Sequence, residues 1–284
     1  MSSIAIPLAS TWVAQSVAVG AAIACSVTAY ALLVRRARRA PGGRSVGAGH
    51  VVFFAAGIAL LVVTAAPPLA PLSDELLSAH MVQHVVLADI APALFVLALR
   101  SPLLPLGLPP AALRAVARGG VLGPILAVLT RPVVALGLWI AAQWLWSVPA
   151  LMGATTQHDA LHLLQHATLF YTGLLLWWVV VDPLPRERRR PGMGRLAVLG
   201  ASRAATAAIC LPLTFMGTTF YGRFVETTAA RGLDPLTDQR LAGAAMCFLE
   251  FFVFGLAFAV VFIDALNREE RADALARRAA GELP

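Results

Sequence analysis

Seven apolar runs follow one another along the chain, separated by short polar or proline-rich breaks. They lie near residues 11–34, 50–70, 77–99, 132–152, 158–181, 196–220 and 241–263. About twenty apolar residues span the hydrocarbon core of a bilayer as a helix. The pattern therefore predicts an all-α, polytopic membrane bundle of about seven transmembrane helices. Residues 1–266 form the membrane domain in this reading. Residues 267–284 form a charged cytoplasmic tail, amphipathic or disordered. A proline-rich stretch with Arg114 and Arg118, between the third and fourth runs, has room for a short interfacial helix.

Composition supports the pattern. Of 284 residues, 59% are hydrophobic and 13% charged, and soluble domains carry about 25% charged residues. The net charge of +7 comes entirely from arginine, because the chain has no lysine. A basic excess can signal nucleic acid, but here the arginines cluster between apolar runs and read as topology signals. Arg35, Arg36, Arg38 and Arg39 follow the first run, Arg100 the third, and Arg186, Arg188, Arg189 and Arg190 the fifth. The opposite loops hold only Arg223, Arg231 and Arg240. The positive-inside rule then puts the N-terminus outside and the C-terminus in the cytoplasm. No cleavable signal peptide stands out, since the first run is long enough to span and its Arg cluster follows it.

Histidine in a bilayer marks function by default. His80 and His84 form H-x-x-x-H at the start of the third run. His158, His162 and His166 repeat that spacing at the start of the fifth. Residues four apart share a helix face, and both groups begin at an outward-facing helix end. Two helices thus direct four or five imidazoles toward one point in the outer half of the membrane. Neutral imidazole suits copper, zinc, iron or nickel, and also axial haem ligation. His50, alone at a cytoplasmic end, reads as interfacial.

Other chemistry-bearing residues carry less. Asp89 and Glu250 lie deep in the third and seventh spans, where a carboxylate is protonated or paired. Asp89 does not share the face of His84; it orients a ligand from another helix or bonds a hydroxyl. Arg203 reads as snorkelling to the cytoplasmic surface. Met81, Met152, Met216 and Met246 read as packing, although thioethers also favour Cu(I). Cys25, Cys210 and Cys247 form no close pair, which argues against a disulfide framework or zinc finger. The tryptophans fit an interfacial belt. No nucleophile–base arrangement, phosphate loop or dinucleotide fingerprint is present, so the chain does not read as an enzyme.

Three segments carry a family resemblance: SAHMVQHVVLADIAPALFVLALRSPL, HLLQHATLFYTGLLLWWVVVDP and DPLTDQRLAGAAMCFLE. In this order and membrane context they resemble the CtaG-type cytochrome c oxidase assembly factors found with caa-type oxidases in Gram-positive bacteria. His80, Gln83 and His84 match the first motif, His162 and His166 the second, and Asp238 and Gln239 the third. His158 is extra, and Gln165 stands where a glutamate is expected in relatives. The resemblance implies a multi-pass protein of the bacterial plasma membrane that matures a haem-copper oxidase, with oxidase subunits and the bilayer as partners and no nucleic acid. It is distinct from the single-span, cysteine-bearing copper chaperones that share the name.

The leading expectation is an assembly factor that binds or delivers copper through an outer-leaflet cluster of His80, His84, His158, His162 and His166. The alternatives are a haem-binding electron-transfer protein, with haem held by one histidine from each of two helices, and a copper transporter.

Overall fold

A computed structural model of the chain describes residues 6–41, 46–109, 111, 122–184 and 192–279. Among them every regular element is helical. Among these described residues six helices are long and apolar enough to cross a membrane, or seven if a bent pair is counted as one span. The protein is thus a multi-pass membrane bundle.

Helix α1 spans Ile6–Arg39 and α2 spans Ala48–Ala65, and a short α3 (Leu69–Ser73) follows. The third crossing is α4 (Leu77–Val85), a π-helical turn (Val86–Ile90) and α5 (Ala91–Ala98) in one continuous rod. Pro92 explains the turn. It has no N–H to return to the carbonyl of Ala88, and its ring crowds that carbonyl, so the helix widens there. The Ala91 N–H reaches back five residues to Val86.

After α6 (Leu103–Gly107), the fourth apolar region forms α7 (Leu122–Leu129) and α8 (Pro132–Trp146), a pair bent by 69° that is apolar enough to make one broken span. The run expected over 132–152 ends early, at Trp146. Val148 is extended before Pro149, which opens a separate α9 (Pro149–Thr155). Helix α10 covers Asp159–Val181 and α11 covers Gly192–Phe215. A short α12 (Gly222–Ala230) precedes α13, which runs unbroken over Pro235–Ala279. The tail from Asn267 to Ala279 is a continuation of that helix. Arg114, Arg118 and the Arg186, Arg188, Arg189, Arg190 cluster lie outside the described residues, as does the interfacial helix expected near the first two.

Cross-links define the two ends of the bundle. At one end the starts of α4 and α13 meet, where Leu77 N–H donates to Asp238 Oδ2 at 2.7 Å. At the other, Arg195 of α11 donates to the Val180 carbonyl of α10 at 2.6 Å and pairs with Asp264 of α13 at 3.3 Å. His50 belongs to this second end. It is buried rather than interfacial, and its Nδ1 sits 3.0 Å from the Ala98 carbonyl, closing the C-terminus of α5.

Trp139, Trp146 and Trp177 are not a belt at the surface; they are buried among Leu176, Val180, Leu199 and other core residues. Phe248, Phe251, Phe252, Leu256 and Phe258 of α13 point outward instead. On a spanning helix such an apolar face suits lipid.

Candidate functional site

The site is built at the end where α4, α10 and α13 begin. On α4 the rings of His80 and His84 lie 4.3 Å apart, and on α10 those of His162 and His166 lie 4.2 Å apart. Both pairs follow from the four-residue spacing on one helix face. Across the gap His80 faces His162 at 5.7 Å and His84 faces His166 at 5.9 Å. The four imidazoles form the corners of a small quadrilateral between two helices. His158 stands apart from it, exposed at the N-cap of α10.

The two helices approach closely because residue 173 is glycine. A Cβ there would lie 2.1 Å from the Ala88 carbonyl oxygen. The carbonyl freed at the π turn therefore packs directly against the Gly173 backbone, a contact no side chain permits.

The height of α4 is set by Asp238. Its carboxylate accepts the N–H groups of Leu77 and Ser78 at 2.7 and 3.3 Å, the Ser78 hydroxyl at 2.5 Å and the Thr228 hydroxyl at 3.3 Å. Leu76, at the N-cap of α4, gives no side-chain cap. Asp238 supplies it from another helix, satisfying orphan donors of the first turn. Gln239 ties the neighbouring connection by accepting from Phe220 N–H at 2.7 Å and donating to Thr218 at 2.9 Å. Tyr221 in that connection donates to the Ser147 carbonyl at 2.9 Å, and burial pushes its phenol up to about 12.

His80 Nδ1 lies 3.1 Å from the Ser73 carbonyl. A carbonyl only accepts, so Nδ1 carries a proton and a neutral ring keeps its lone pair on Nε2. The Nε2 atoms of His80, His84, His162 and His166 are all buried without a hydrogen-bond partner, and so are Oε1 of Gln83 and Gln165. Buried polar atoms are normally paired, and six orphans on two adjoining helices are unusual. Gln83 spends its amide on the Thr64 carbonyl at 2.7 Å, and Gln165 spends its own on Met152 Sδ at 3.8 Å. Among the described residues no three His, Cys, Asp or Glu side chains are arranged as a group ready to hold a metal ion. The rings are gathered, but their nitrogens are not aimed at a common point.

Other residues singled out by sequence fall elsewhere. Asp89 is completely buried in the π turn and bonds no hydroxyl, since neither carboxylate oxygen has a partner. Arg203 does not snorkel to the surface. It donates to Glu250 Oε2 at 3.0 Å because that carboxylate is fully buried on the facing helix. Cys210 and Cys247 form a disulfide, with Cα atoms 5.7 Å apart. Sequence spacing of 37 residues hid this pair, which two helices bring together where Gly243 packs on the Cys210 carbonyl. Met81, Met152 and Met246 pack in the same apolar cluster as Cys210, and Met216 is exposed. Sequence reasoning matched Asp238 to the third motif but missed its cap on α4. The cue was Asp234 one turn earlier, which caps α13 itself through the N–H and hydroxyl of Thr237 at 2.8 and 2.6 Å.

Comparison with known proteins adds identity to this geometry. Two similar curated proteins are an uncharacterized protein of Mycobacterium bovis and one of Mycobacterium tuberculosis. Each is 26% identical over 209 residues, covering 71% of this chain and 32% of the relative. The chain thus spans about a third of the length of the curated relatives it matches. No solved structure matches it. The model of the cytochrome c oxidase caa3 assembly factor family matches residues 28–268, which include the quartet, Asp238 and the parts of α4, α10 and α13 that frame them, and the chain belongs to that family.

Proposed function

We propose that the protein serves the assembly of a haem-copper cytochrome c oxidase by holding copper on His80, His84, His162 and His166 and passing it to oxidase subunits in the same membrane. The observation that carries this reading is the set of four buried, unpartnered Nε2 atoms on two facing helices. Spacing supports it as well. An imidazole nitrogen bound at about 2 Å puts its ring centre roughly 3 Å from the ion, so two ligand rings of one ion lie up to about 6 Å apart. The neighbouring ring separations of 4.2–5.9 Å fall within that reach. Loading requires the rings to turn until their nitrogens face one ion. An all-nitrogen set with a thioether nearby, Met152, suits copper.

The arginine asymmetry along the sequence supports an outer-face position for the quartet. Copper taken there reaches an oxidase subunit without crossing the bilayer. Haem fits less well, because a porphyrin needs a slot between two rings. Each cross-helix pair already has the other rings beside it at 4.2–4.3 Å. A transporter would need ligands at the opposite end too, and that end holds Arg195 and Arg268 around Asp264.

The test is a deletion strain complemented with wild type, His84→Ala or His162→Ala. The expected result is oxidase polypeptide made at normal levels but short of copper and activity in the deletion and both variants, with partial recovery on added copper. Normal oxidase activity in the deletion strain under copper limitation overturns the assembly reading. An inactive oxidase with full copper content overturns the copper reading.

A further inference from the structure

Beneath the histidines lies a second polar site, outside the proposed ligand set. Helices α4 and α13 start together at Leu77 and Asp238 and each runs twelve residues inward, to Asp89 and Glu250. At about 1.5 Å per residue both carboxylates lie roughly 18 Å from that shared start, at equal depth. Both are completely buried.

Their partners are unequal. Arg203 of α11 donates to Glu250 Oε2 at 3.0 Å, to the Thr206 hydroxyl at 3.1 Å and to the Cys247 carbonyl at 3.3 Å. Glu250 Oε1 and both oxygens of Asp89 have no partner. The Trp139 indole of α8 approaches Asp89 without closing a hydrogen bond. The charged groups acting on Asp89 are Glu250 and Arg203, and Arg203 and the Thr206 hydroxyl act on Glu250. Helix α10 contributes Gly173 at the π turn, which brings no charge.

Two carboxylates and one guanidinium sum to one negative charge in an apolar interior. An uncompensated buried charge costs several kcal/mol, so the cluster is neutral only with one proton on the carboxylate pair. Five residues separate Asp89 from His84 along the same rod, roughly 7 Å of helix axis. Opposite charges at such separations attract appreciably when water is excluded.

We propose that Asp89 and Glu250 form a proton-binding site that holds one exchangeable proton and gives it up when a monovalent cation occupies the histidine quartet. The second half rests on the copper reading above. The exchange balances: one Cu(I) enters on neutral imidazoles, one proton leaves the carboxylate pair for solvent, and the net charge of the interior is unchanged. The pair supplies the counter-charge that four neutral ligands lack.

The experiment uses the full chain in mild detergent, with Cu(I) delivered from a weak chelator in dilute buffer near neutral pH. Released protons and bound copper are counted together, and an infrared spectrum of the metal-free protein is recorded beside them. Wild type is expected to release about one proton per copper and to show the carbonyl stretch of a protonated carboxylic acid. In Asp89→Asn the band and the proton release are lost while copper still binds, more weakly. Glu250→Gln serves as the second variant, losing the proton release alike. Equal proton release from wild type and both variants overturns the coupling and leaves copper holding intact. If wild type binds no copper, the copper reading and the coupling fall together, and the infrared band decides the proton site by itself. A metal-free spectrum without that band overturns the site.

Discussion

Asp238 accepts the backbone N–H of Leu77 at 2.7 Å across 161 residues of sequence, so the last spanning helix caps the helix that carries His80 and His84. The position of half the quartet therefore depends on a residue that never touches it.

Replacing Asp238 by alanine removes the acceptor for two N–H groups and two hydroxyls. Loss of a helix cap costs about 1–2 kcal/mol. The expected outcome is a lower melting temperature in detergent together with weakened copper binding, because α4 is free to shift along its axis. Asp238→Asn keeps an acceptor and is expected to lose less of both. A variant that melts earlier yet binds copper with wild-type affinity would show that the cap stabilises the fold without positioning the histidines.

Gly173→Ala puts a methyl group where the Ala88 carbonyl oxygen would be 2.1 Å away. Backbone cannot yield as a flexible side chain does, so α10 must move away from the π turn. The expected destabilisation is about 2–3 kcal/mol, in the range of overpacked cores. Gly137, with open space around its Cβ position, is the control, and alanine there is expected to change the melting temperature little. Thermal melts of the two variants side by side check this.

A pH dependence is expected from the loop before α4. The Arg231 guanidinium hydrogen-bonds Glu75 and holds its carboxyl below the ordinary 4.5. A depressed folded-state value means stability that is fully present above the unfolded value and is lost as pH falls through the folded one. Asp74 beside it behaves oppositely. Burial first, then Asp159 and Glu75, raise its carboxyl above 3.8, so its penalty is present above the raised value and relieved on acidification. Melting temperature followed from neutral pH down toward about 3 is expected to lose its Glu75 component in Glu75→Gln and in Arg231→Ala alike. An unchanged acid limb in both variants would count against the ion pair.

The sequence made the membrane class, the number of crossings and the histidine pairs legible, because each rests on a local rule. Hydrophobic length sets spans, and four-residue spacing sets a helix face. His80 with His84, and His162 with His166, were readable for that reason. What joins the pairs was not, since it lies in contacts between helices. The π turn follows from Pro92, but its fit to Gly173 needs both helices in place. Asp238 capping α4 and Arg203 pairing with Glu250 are interhelical, so a helix-by-helix reading left Asp238 without a role and sent Arg203 to the surface. Cys210 and Cys247 were invisible as a pair for the same reason. The run over 132–152 was overextended because hydropathy does not register the break at Val148 and Pro149.

Copper X-ray absorption on the purified chain tests the central claim most directly. Wild type loaded with copper and washed is expected to hold about one ion in a shell of imidazole nitrogens near 2 Å. The His84→Ala/His162→Ala variant, with the melting temperature of wild type, is expected to lose that ion. Wild type that retains no copper after washing, or a variant that keeps the same nitrogen shell, would contradict the account.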